Sequence, residues 1–297
     1  MVRVCRLAAV TMETPDLPRS VAHYSSVMGL AQTSVSAAEA YLGVDRERHS
    51  LNLMRGSRPV CTKLSFQIAV DADLAELSRQ IEALGVRTER VTDPEPSISS
   101  ALRFLDPKGT IIQIHGSPGP SGNRAAGTGI APVKLGHIAF NVVDRDTLAK
   151  THGFYSEGLG FRVSDWISDF FVFMRCNPDH HTCNFLLGSG NKMHHLAFEL
   201  RDWAHMQNAA DLLAQRDIEL IWGPGRHGPG HNIFLYYRDP DGNIIELFCE
   251  LDRILDEDLG WFDARPWHKD YPQKPKVWED SPKAVNIWGP PPPEGFL

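Results

Sequence analysis

Leu135-Gly136-His137-Ile138-Ala139-Phe140-Asn141-Val142 reads as a strand with two unlike faces: Ile138, Phe140 and Val142 alternate with His137, Ala139 and Asn141. Successive strand residues point to opposite sides of a sheet, so an apolar set that packs on a helix turns His137 the other way. The stretch has an earlier copy. Leu7-Ala8-Ala9-Val10 aligns with Leu135-Gly136-His137-Ile138 and sets Ala9 against His137, and each copy runs on through a helix-like segment to Gly29-Leu30 or Gly160-Phe161. Further on, Leu64-Ser65-Phe66 is laid against His194-His195-Leu196. Asp106-Pro107-Lys108-Gly109 followed by Gln113 matches Asp239-Pro240-Asp241-Gly242 followed by Glu246, with seven positions from Asp to Gln or Glu in both.

The chain is therefore two similar halves, and the second carries His137, His195 and Glu246 where the first is read as carrying Ala9, Ser65 and Gln113. Parity supports the grouping. Leu196, Phe198 and Leu200 alternate with His195, Ala197 and Glu199, which selects His195 over His194; Ile245 and Leu247 alternate with Glu246. Each half divides again into two units that read strand, helix, then short strands. In the second half the expected elements are strands 135–142, 170–175, 182–187, 194–200, 232–237 and 243–249 with helices 144–159 and 202–216. Asp239-Pro240-Asp241-Gly242 is a hairpin turn signal. The Gly- and Pro-rich residues 117–132 disfavour helix and strand and read as a linker. The expected organisation is a first domain at 1–116, the linker, a catalytic domain at 133–250 and a Trp- and Pro-rich tail at 251–297.

Two imidazoles and a carboxylate can take one face of an octahedral ion and leave the opposite positions open, and they suit Fe(II) or Mn(II). A structural zinc site would want a fourth protein ligand, preferably a thiolate. Composition reads as that of a soluble globular protein. With 297 residues, 42% of them hydrophobic, the chain can bury two cores of ordinary size. A formal charge of -7 and no Lys or Arg run argue against nucleic acid as a partner. No apolar run approaches the roughly 20 residues needed to span a bilayer, and the opening residues are too short in apolar character for a secretory signal. The five scattered cysteines form no CxxC pair, so they are expected to be reduced in a cytoplasmic protein.

Gly136-His137-Ile138-Ala139-Phe140, Cys176-Asn177-Pro178-Asp179-His180-His181-Thr182, His194-His195-Leu196-Ala197-Phe198, Gly223-Pro224-Gly225-Arg226-His227-Gly228, and Tyr236 with Asp239-Pro240-Asp241-Gly242-Asn243 through Glu246 occur in this order. Together they resemble type I extradiol catechol dioxygenases of the vicinal oxygen chelate superfamily, over about residues 1 to 250 and most specifically from 135 to 250. The resemblance implies an α+β fold of four βαβββ modules forming two open eight-stranded barrels, with metal only in the second. It implies His137, His195 and Glu246 as ligands to Fe(II), or to Mn(II). His181 becomes the acid-base histidine, a choice over His180 that parity does not make, and His227 and Tyr236 become catalytic residues that also hydrogen-bond the substrate oxygens. The implied partners are a catechol and O2, both oxygen atoms entering a ring opened beside the hydroxyls. A homo-oligomer is expected.

Phe173 and Ala139 are expected to line the substrate pocket, with Phe171 on the same parity as Phe173. Trp222 stands five residues before His227, where no Arg is seen to receive a carboxylate. This favours an uncharged aryl- or alkyl-substituted catechol. Beyond Glu250, residues 252–258 read as an acidic helix, followed by Trp261, Pro266-Trp267-His268-Lys269, Trp278, Trp288 and a proline run. That stretch cannot be a regular helix, and it reads as a cover for the barrel mouth or a subunit contact. The rival classes are a glyoxalase-type isomerase or transferase with a fourth ligand, an oxygenase of 2-oxo acids with the same triad, and a sequestering protein with no triad.

Overall fold

The computed structural model describes residues 1–45, 47–119, 128–259, 261–263 and 275–296. Residues 120–127 of the expected linker, and Pro266, Trp267, His268 and Lys269 of the tail, lie outside the described residues. The chain divides into two compact units: Met1–Leu135 with Ala149–Phe161 and Asp239–Asn243, and Gly136–Leu148 with Arg162–Arg238 and Ile244–Leu297.

Unit 1 holds β1 (Val4–Thr14), α1 (Leu17–Ser26), β2 (Ala31–Val35), β3 (Glu39–Gly43), β4 (Leu51–Arg55), β5 (Val60–Ile68), α2 (Leu74–Glu82), β6 (Glu89–Glu95), β7 (Ile98–Leu105) and β8 (Ile111–His115). The sheet order is β2-β3-β4-β1-β5-β8-β7-β6, two βαβββ modules joined at β1 and β5. The helix α2 starts where the Asp73 carboxylate accepts the Ala75 N–H, and it buries Leu77 and Ile81, one turn apart on one face. Two matching tyrosines tie turns into this unit. Tyr24 donates to Asp239 at 2.8 Å and Tyr155 donates to Asp106 at 3.1 Å, each Asp opening an Asp-Pro-x-Gly turn.

Unit 2 contains β9 (Lys134–Val142, but for its first two residues), the start of α3 (Arg145–Leu159), β10 (Arg162–Ile167), β11 (Phe171–Arg175), β12 (Cys183–Leu187), β13 (Lys192–Glu199), α4 (Trp203–Gln215), β14 (Leu220–Arg226), β15 (Ile233–Arg238) and β16 (Ile244–Cys249). Its sheet runs β14-β15-β16-β13-β9-β12-β11-β10 and ends on one more strand beside β10. The ninth strand, β19 (Lys276–Trp278), comes from the tail and pairs in parallel with β10. The modular barrel fold expected from the motifs is present, and the tail is part of its second sheet. The acidic stretch at 252–258 is not a helix. Arg253–Asp256 forms strand β17, which pairs with β18 (Trp261–Asp263), and Ile254 N–H donates to the Pro178 carbonyl. Tertiary hydrogen bonding there overrides the helix preference of the acidic residues.

Strand register corrects the alignment of the two halves. Ser65 pairs with Gln113, whereas Ala197 pairs with Glu246. Leu64-Ser65-Phe66 therefore matches Leu196-Ala197-Phe198, and Lys63, not Ser65, stands where His195 stands in the second half. A slip of two residues leaves every side chain on its own face, so the period-2 pattern cannot reveal it. In unit 1 the Lys63 ammonium pairs with Glu95, whose carboxylate also accepts from Gln113 at 2.9 Å and Asn52 at 3.3 Å. Burial alone would raise the Glu95 pKa, but the Lys63 charge and these hydrogen bonds hold it below its ordinary range.

A covalently tethered cation thus neutralises the centre of the first sheet. Lys63→Met is expected to destabilise the protein by about 3–5 kcal/mol, because it leaves the buried Glu95 carboxylate without its partner. The depressed Glu95 pKa adds stability above the ordinary carboxyl range, and that stability is lost as pH falls through the folded value. Urea titrations of both proteins at neutral and acidic pH test this. An unchanged midpoint at neutral pH would contradict it.

Candidate metal centre

Three strands deliver the triad. His137 comes from β9, His195 from β13 and Glu246 from β16, and their ligand atoms all lie within 4.8 Å of one another. Glu246 Oε2 is 3.1 Å from His137 Nε2 and 3.2 Å from His195 Nε2, while the two imidazole nitrogens are 3.4 Å apart. All three residues are buried. Asn232 Nδ2 donates to the other carboxylate oxygen, Oε1, at 3.0 Å. Asn232 shares its parity with Tyr236, and that alternation is the sequence signal that places it beside the site.

The proton inventory tests whether these residues fit a cation. The Phe296 carbonyl can only accept, so His194 Nε2, 2.6 Å away, carries its hydrogen there. His194 Nδ1 is then an acceptor for His195 Nδ1–H at 2.7 Å. His195 Nε2 is left with a lone pair that faces the Glu246 carboxylate with no proton between them. Burial holds His195 well below the usual imidazole range, with His194 and His137 adding to the effect. The His195 lone pair, the His137 ring nitrogen and a carboxylate converge on one point, an arrangement that fits a divalent cation, and the donor set suits iron or manganese.

The remaining expected residues surround this centre. Tyr236 on β15 donates to Glu246 Oε2 at 2.8 Å and lies 3.0 Å from His227 Nε2. Its one proton can serve only one of these two acceptors. Burial, then the Glu246 charge, pushes the Tyr236 phenol well above its ordinary pKa, so it stays protonated. His227 follows β14, donates Nδ1–H to the Val285 carbonyl at 2.6 Å and stacks on Phe234, the ring centroids 3.9 Å apart. His181 precedes β12; its ring centroid is 4.3 Å from that of His137 and 5.4 Å from that of Phe173. Burial keeps the His181 imidazole neutral, its pKa far below the usual value.

A cavity of about 500 Å³, open mouth included, joins the triad to His181, His227 and Tyr236. Its walls are largely apolar, among them Ile167, Phe171, Phe173, Leu186, Trp222 and Phe296, and no Lys or Arg among the described residues lines it. Ala139 does not line it. Asn184, its register partner on β12, does. The tail contributes Ala284, Val285 and Phe296 to the walls, and nothing in a proline-rich sequence signals that its carbonyls would hold His227 and His194.

The description Glyoxalase/Bleomycin resistance protein/Dioxygenase superfamily belongs to the family model that matches residues 6–114 and 134–247. The manganese-dependent 2,3-dihydroxybiphenyl 1,2-dioxygenase of Geobacillus genomosp. 3 is 26% identical over 300 residues, 93% of each chain. The Mn(II)-bound glyoxalase from Novosphingobium aromaticivorans superposes with a TM-score of 0.84 at 27% identity, over 97% of this chain and 92% of that one. The anaerobic complex of homoprotocatechuate 2,3-dioxygenase from Brevibacterium fuscum with 3,4-dihydroxyphenylacetate gives 0.84 at 25% identity, over 99% of this chain and 92% of the other.

Proposed function

The chain belongs to the Glyoxalase/Bleomycin resistance protein/Dioxygenase superfamily, and from that premise we propose that it is an extradiol dioxygenase. It opens the ring of an uncharged aryl- or alkyl-substituted catechol with O2, next to the two hydroxyls. The observation that carries this reading is the cavity itself: a buried two-histidine, one-carboxylate triad at one end, three protic side chains around it, and apolar walls beyond.

His137, His195 and Glu246 would hold Fe(II) or Mn(II), which lowers the pKa of a bound catechol hydroxyl and links ring to dioxygen electronically. Tyr236 and His227 bind the substrate oxygens. The neutral His181 takes up a proton at its cavity-facing nitrogen and returns it later in the reaction. Phe173, Phe171 and Ile167 take the ring substituent and exclude water. The walls given by the described residues are largely apolar and fit an apolar ring substituent, whereas a carboxylate set against them would be desolvated. We further propose a cytoplasmic homo-oligomer, in keeping with the five free cysteines; no described helix is long and apolar enough to cross a membrane.

A glyoxalase-type isomerase is the second reading, favoured by the superposition on the Novosphingobium protein. Three residues, and not four, form the convergent ligand group among the described residues, which supports the dioxygenase. Protein loaded anaerobically with Fe(II) or Mn(II) and then given aerated 3-phenylcatechol is expected to form a yellow ring-opened product. Failure to consume the catechol, with turnover of a thiol-aldehyde adduct instead, would establish the isomerase.

A further inference from the structure

His181 does not stand alone. Its Nδ1 is 3.0 Å from Nδ1 of His180, and His180 Nε2, which makes no aligned hydrogen bond among the described residues, has Oδ2 of Asp165 at 3.2 Å as its charged neighbour. All three residues are almost wholly buried. The Asp165 carboxylate is itself fixed by the tail: Oδ1 accepts the Lys276 N–H at 3.1 Å and Oδ2 accepts Trp278 Nε1–H at 2.8 Å. Gly230, at φ +76°, gives the His180 ring its place, since a Cβ there would lie 2.9 Å from His180 Nδ1. The His180 N–H is anchored on the Asp252 carbonyl at 2.8 Å.

We propose that His180 and Asp165 are positioning residues that hold His181 as its Nδ1–H tautomer, so that Nε2 is presented to the cavity as the proton-accepting atom. The Asp165 carboxylate, which accepts from the Lys276 and Trp278 N–H groups, is the acceptor facing His180 Nε2; this places the His180 hydrogen on Nε2 and makes His180 Nδ1 an acceptor. His181 must then donate from Nδ1. Its other nitrogen is free for the cavity that it lines. The last strand of the tail thereby acts on the chemistry without touching the substrate, through Asp165 and His180. This inference rests on the extradiol reading for its consequence, though not for its geometry.

The test compares His180→Leu with His180→Asn, because the Asn carbonyl can occupy the place of Nδ1 and still accept from His181. Two-bond 1H–15N correlations of histidine-labelled protein, loaded with diamagnetic Zn(II), read the tautomer directly; His181→Asn assigns the signal. The wild type is expected to show Nδ1–H at His181, His180→Leu to lose that preference, and His180→Asn to keep it. With iron or manganese bound, His180→Leu is expected to lower kcat by about 10- to 100-fold, the usual cost of removing a partner that orients a catalytic imidazole. KM and metal content are expected to stay near wild type, and His180→Asn to recover most of the rate. An unchanged His181 tautomer in His180→Leu, or no recovery in His180→Asn, overturns the proposal. Should His180→Leu not fold, Asp165→Leu, of similar size and without an acceptor, replaces it, and an undisturbed tautomer there overturns it equally. If the wild type cleaves no catechol, the functional reading falls and the tautomer measurement still decides the positioning.

Discussion

Glu246→Ala is expected to leave the protein folded, unable to retain Fe(II) or Mn(II), and without measurable catechol cleavage. The carboxylate is the one anionic member of the triad, and its two oxygens meet His137, His195, Tyr236 and Asn232. Burial alone would raise its pKa, but His137 and the hydrogen bonds around it hold the group below the ordinary range and therefore ionised. Removing it leaves two neutral imidazoles, a ligand set with no charge to offset that of a divalent ion. His137→Ala and His195→Ala are expected to act in the same direction. Elemental analysis after gel filtration and far-UV circular dichroism check this together. Stoichiometric metal and a near-normal rate in any one of the three variants would remove that residue from the triad.

The second large effect is expected at His181. His181→Asn is expected to keep the metal and bind catechol, yet slow the steps after oxygen encounter by about a hundred- to ten-thousand-fold, the range for a positioned imidazole that accepts or donates a proton. Its buried, neutral state makes it the group able to take up a proton in that space. Stopped-flow absorbance checks this, on mixing the anaerobic enzyme-catechol complex with oxygenated buffer. A rate equal to the wild type would leave the proposed reaction without its acid-base group.

Period-2 patterning and turn chemistry made most of the fold legible. The strands around His137, His195 and Glu246 and the hairpin at Asp239-Pro240-Asp241-Gly242 fall where alternation and the turn residues put them. Alternation also put His137, His195 and Glu246 on one side, because each strand has a helix-packed face that excludes them. What alternation cannot resolve is a shift of two, and so Lys63 was hidden behind Ser65 until the register was known. Nor could it choose between His180 and His181: both lie ahead of β12, outside the regular strand where parity has meaning, and in the structure both are buried and hydrogen-bonded to each other. The tail was the least legible part. Its contribution is made by main-chain carbonyls of Val285 and Phe296 and by a short added strand, features that side-chain chemistry does not encode.

The central claim is that O2 is split into the product of a catechol ring opened beside its hydroxyls. The measurement that tests it most directly is mass spectrometry of the product formed from 3-phenylcatechol under 18O2, quenched within one turnover of the metal-loaded protein. Two heavy oxygens in a ring-opened product cleaved next to the diol are expected. An unlabelled product, or a diacid cut between the two hydroxyls, would contradict it.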